Sequence, residues 1–113
     1  MAFEPVTTLD ELSVGEPTRV EVDGHPICLV KVGEEVRAIY DVCSHQEYPL
    51  HEGYVFDSSI ECALHGSTFD LATGRPEALP ATKPVPVYAT KIDGSDVLID
   101  LDQQLNDAPV PKH

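Results

Sequence analysis

Between residues 17 and 41 the chain repeats one figure three times, as PTRVEV, HPICLVKV and EVRAIYD, parted at Asp23-Gly24 and Gly33-Glu34. Short runs rich in Val and Ile, separated by tight glycine turns, specify antiparallel strands joined as a meander. Thr18, Val20 and Val22 share one parity and Arg19, Glu21 and Asp23 the other, so one face should meet a core and the other water. The figure returns in VPVYATKI, residues 85–92, and DVLIDL, residues 96–101, around an Asp93-Gly94 turn. With ten Pro, seven Gly, no Trp and 42% hydrophobic content in 113 residues, the expected fold is all-β. Its antiparallel sheets should form a sandwich or barrel-like scaffold.

The strand pattern breaks between residues 43 and 84. Short strand signals at GYVF, SIEC and STFDL lie among Pro, Gly, His and acidic residues, and the Pro-rich stretch Leu79 to Pro84 follows. This reads as a functional subdomain, about residues 42–84, inserted into a single domain over residues 1–102. The segment 103–113 reads as a polar, flexible tail, and the first dozen residues carry no clear strand pattern.

Inside the insertion stand two short arms, Cys43-Ser44-His45 and Cys62-Ala63-Leu64-His65, sixteen residues apart. Each offers one thiolate and one imidazole. If the two loops approach, both cysteines can meet one iron and both histidines a second, so that one binuclear cluster explains all four residues. Two ferric ions, two sulfides and two thiolates sum to zero charge, whereas an all-cysteine cluster would carry two negative charges. A neutral cluster accepts an electron more readily, and the electron should favour the histidine-ligated iron. A closed zinc site competes, because Cys₂His₂ is also a tetrahedral zinc set. Zinc modules, however, usually pair like ligands locally, and here unlike ligands are paired. A Cys/His hydrolase would leave one arm unexplained.

The pattern C-x-H, sixteen residues, C-x-x-H, continuing as His65-Gly66-Ser67-Thr68-Phe69-Asp70, resembles the Rieske iron–sulfur family over about residues 16–101. Within that family the chain looks like the soluble ferredoxins of multicomponent ring-hydroxylating oxygenases. The resemblance implies one [2Fe–2S] cluster held by Cys43, His45, Cys62 and His65. High-potential members carry a disulfide between the cluster loops, at positions occupied here by Tyr48 and Leu64. They also carry a Ser and a Tyr that donate hydrogen bonds to sulfur, where this sequence keeps Ser67 but has Phe69. Such bonds stabilise the more negative reduced cluster, so the expected midpoint falls in the lower half of the class range, roughly −150 to +50 mV. Gly66 should let the loop backbone approach the site, Tyr48, Pro49 and Leu50 should form an apolar rim, and Pro80 should belong to a third covering loop.

The resemblance also implies an electron carrier that catalyses nothing alone. It would accept from an NAD(P)H-dependent flavoprotein reductase and donate to a terminal non-haem iron oxygenase, docking at a tip around His45 and His65 flanked by Gln46, Leu64 and Gly66. Two other readings stay open: the small subunit of a nitrite reductase-type enzyme, and a zinc-binding interaction module. Twenty Asp and Glu against seven Lys and Arg give a formal charge of −13, which disfavours nucleic acid and anionic membranes. An acidic collar of Glu47, Glu52, Asp57, Glu61 and Glu77 would steer basic partners into brief contact. The N-terminus lacks a signal-peptide pattern, so a cytoplasmic location is expected, and the chain is expected to be a monomer. Cys28 reads as a buried structural thiol, His51 as a solvated loop histidine, and His25 and His113 receive no role.

Overall fold

The segment His25–Val32 is apolar almost throughout because both of its faces are covered. Ile27 and Leu29 point into one apolar cluster, while Cys28 and Val30 point into another. Around this strand the computed structural model, which describes residues 3–42, 49–56, 58–63, 66–78, 84–106 and 108, builds two sheets.

The larger sheet contains β1 (Glu4–Thr8), β2 (Thr18–Val22), β3 (His25–Val32), β4 (Glu35–Tyr40), β9 (Val87–Asp93) and β10 (Asp96–Gln104), in the order β1-β10-β9-β4-β3-β2. All its ladders are antiparallel, and the edge strands β1 and β2 approach each other, so the sheet curls toward a barrel. Leu12, Val22, Ile27, Leu29, Val36, Ala38, Tyr40, Val97 and Ile99 fill its interior. The meander expected over residues 17–41 is present, with Arg19 opposite Cys28 and Cys28 opposite Ile39.

Between β4 and β9 the chain forms the second sheet, ordered β5 (Tyr54–Phe56), β6 (Ser59–Glu61), β7 (Thr68–Asp70) and β8 (Pro76–Ala78). Each strand has three residues, too few for such a sheet to stand unsupported. Ile60 and Phe69, paired across β6 and β7, are fully buried against Cys28, Val30, Ile39, Val85 and Val87. The outer face of the barrel thus serves as the floor of the small sheet. Its opposite face carries the exposed side chains of Tyr54 and Phe56.

Three elements depart from expectation. β1 lies in the stretch without a clear pattern; it is an edge strand with an irregularity between Pro5 and Thr7. β8 begins at a proline and contains no β-branched residue. β10 runs past Leu101 to Gln104, and Asn106 and Ala108, described beyond it, are held against the fold. The Asn106 side chain donates to Thr73 O at 3.0 Å and Val85 O at 2.8 Å and accepts from Val87 N–H at 3.2 Å. Ala108 is buried, and its carbonyl accepts from Gln104. Among the described residues no helix is long and apolar enough to cross a membrane.

Candidate metal centre

β6 leads directly into Cys62, which is 1% exposed and shares its apolar cluster with Cys28, Leu50, Ile60 and Phe69. Two backbone bonds close the turn that follows: Gly66 N–H donates to Cys62 O at 3.0 Å, and Cys62 N–H donates to Ser67 O at 2.7 Å. Gly66 adopts φ +77°, a left-handed conformation that strains any residue with a Cβ. A Cβ there would meet only the Glu61 carboxylate, at 3.8 Å, among the described residues. It is the backbone conformation that demands glycine. Ser67 is buried, and Phe69 is a wholly buried core ring.

Of the four expected ligands only Cys62 falls within the described residues; Cys43, His45 and His65 lie outside them, as do Gln46, Glu47, Tyr48, Asp57, Leu64, Pro80 and His113. Glu52 and Glu77 of the expected collar are exposed and Glu61 is partly so. Leu50 is corrected from rim to core, since it is fully buried between the sheets. Asp70 caps the turn after β7: its Oδ1 accepts from the N–H groups of Ala72 at 2.8 Å and Thr73 at 3.0 Å. Cys28 is buried as expected, and desolvation, reinforced by the Asp41 charge, pushes its thiol pKa well up.

The reading of His51 as a solvated loop residue is overturned. Asp41, 1% exposed at the end of β4, accepts from the His51 backbone N–H at 2.7 Å through Oδ1 and pairs with His51 Nδ1 at 2.6 Å through Oδ2. Burial raises the Asp41 carboxyl above its ordinary value, against the lowering effect of the two His51 bonds and of Arg19. Sequence reading missed this pair. Its one signal is an acid and a histidine bracketing the first arm.

The family model for the Rieske [2Fe-2S] domain matches residues 2–89. The chain belongs to the Rieske family. The "Biphenyl 2,3-dioxygenase, ferredoxin component" of Rhodococcus jostii (strain RHA1) is 40% identical over 102 residues, covering 90% of this chain and 95% of that relative. Among solved structures, the ferredoxin of carbazole 1,9a-dioxygenase from Nocardioides aromaticivorans IC177 superposes with TM-score 0.84 at 42% identity, covering 88% of this chain and 97% of that one. A chain from the complex of reduced oxygenase and oxidized ferredoxin in carbazole 1,9a-dioxygenase superposes with TM-score 0.85 at 29% identity, covering 91% and 96%. The cofactor of a Rieske chain is a [2Fe–2S] cluster, and the described part of the site suits it. A soft thiol withdrawn from water stands at the mouth of a turn whose left-handed glycine brings no side chain of its own.

Proposed function

We propose that this protein is a ferredoxin component of a ring-hydroxylating oxygenase system. It takes single electrons from an NAD(P)H-dependent flavoprotein reductase and delivers them to a terminal non-haem iron oxygenase. The observation that carries this reading is the end-to-end match to the ferredoxin components just described, 95% and 97% of whose lengths this chain covers. When bound, the cluster supplies one-electron redox chemistry.

The chain's own residues supply the rest. Cys43 and Cys62 would hold one iron, and His45 and His65 the other. The burial of Cys62 would keep water from its iron, and the histidines would form the edge through which electrons pass. Surface carboxylates draw basic partners to that edge, and no substrate-binding chemistry is required of the protein itself.

Anaerobic purification followed by iron and sulfide counts and EPR after reduction tests the cofactor and ligands. Two irons and two sulfides with a Rieske signal are expected. Cys43→Ser should abolish the cluster, and His45→Cys, if loaded, should shift the potential strongly negative. Unchanged spectra in both variants would overturn the ligand set. Capture from native extract should return an oxygenase and a flavoprotein reductase, and recovery of a nitrite reductase instead would overturn the partner assignment.

A further inference from the structure

Asp41 directly follows β4 and His51 lies in the turn Leu50–Glu52, and on the reading above the residues between them carry Cys43 and His45. The ends of this segment are fastened to each other by one buried carboxylate. Asp41 takes the backbone N–H of His51 on Oδ1 at 2.7 Å and the ring Nδ1 on Oδ2 at 2.6 Å. Both ends are also anchored outward. The Asp41 backbone N–H donates to Pro26 O at 3.0 Å on β3, and Leu50 is locked into the core between the sheets.

We propose that the Asp41–His51 pair is a clasp that closes the base of the first ligand arm, making both residues positioning residues for the cluster. A carboxylate withdrawn from water is costly unless its oxygens are satisfied, so Asp41 holds this geometry firmly. A loop closed at its base has fewer conformations in which its ligands miss the metal. Hydrogen-bonded groups behind metal ligands commonly govern metal retention. The inference rests on the ligand reading only for what the clasped segment carries.

Substitutions at His51 separate this role from mere packing. Asparagine places an amide nitrogen where histidine has Nδ1 and can still donate to Oδ2. Phenylalanine keeps a ring of similar size without any donor. The readouts are the rate at which the visible absorption of the holoprotein bleaches in excess chelator, the EPR line shape after reduction, and the melting temperature. His51→Phe should bleach about ten-fold faster than the parent with a broadened signal, whereas His51→Asn should remain within about two-fold of it. Leu12→Ala, a cavity in the barrel interior, should lower the melting temperature without changing the EPR line shape. If His51→Phe yields no holoprotein, His51→Ala, which keeps the backbone bond but has no side-chain donor, is read in its place.

Parent-like bleaching and EPR in His51→Phe, or equal loss in the Asn and Phe variants, would overturn the clasp. Cys43→Ser run alongside keeps the two readings apart. A full cluster spectrum in that variant would overturn the ligand set. Loss of the spectrum there, together with a parent-like His51→Phe, would overturn the clasp alone.

Discussion

At the scale of single residues, burial decides chemistry. Tyr88 is buried where β9 meets the barrel interior, and burial, with the nearby Tyr40 ring, pushes its phenol pKa up to about 12. A tyrosine in an unfolded chain ionises near pH ~10, so the neutral Tyr88 stabilises the fold fully below that pH. This stabilisation is lost as pH rises toward the folded value. Chemical denaturation midpoints should therefore drop between about pH 10 and pH 12, and Tyr88→Phe should flatten that drop. The second prediction at this scale concerns Phe69, whose ring faces the core without a hydroxyl to donate. The midpoint should lie between roughly −150 and +50 mV, and voltammetry of the holoprotein checks it. Phe69→Tyr tests the missing phenol directly and should raise the value.

At the scale of elements, two backbones come unusually close. A Cβ on Gly53 would stand 1.8 Å from Glu61 O, with Leu50 O at 3.2 Å. Gly53 thus lets the exit of the first arm lie flat on the strand that delivers Cys62. Gly53→Ala must push these segments apart, and a loss of stability at the upper end of about 1–3 kcal/mol is expected in urea titration. Much of this architecture was legible in the chain: the meander showed because turn residues bracket alternating or continuous apolar runs, and the two arms showed because their spacing is specific. β8 was not, since Pro76-Glu77-Ala78 becomes a strand only through the partners β7 offers. The Asp41–His51 pair was not legible either, because its bonds join residues ten apart by a side chain reaching a backbone amide.

At the scale of the whole molecule, charge dominates. A net charge of −13 produces a long-range field that attracts basic surfaces and weakens as salt shortens its reach to about 10 Å at 0.1 M. On the proposed function, rate constants for electron transfer from the reductase and to the oxygenase should fall about ten-fold between roughly 0.02 and 0.5 M salt. Stopped-flow measurements that stay flat across this range would rule out steering. The molecule is also not a barrel with a detachable accessory. Because Cys28, Val30 and Ile39 on the barrel's outer face complete the core that holds Cys62, transplanting residues 42–87 into a foreign β-barrel would strand a greasy underside in water. An engineer seeking a portable redox centre must carry β3 and β4 along with the two arms, or repaint the recipient's surface to match them.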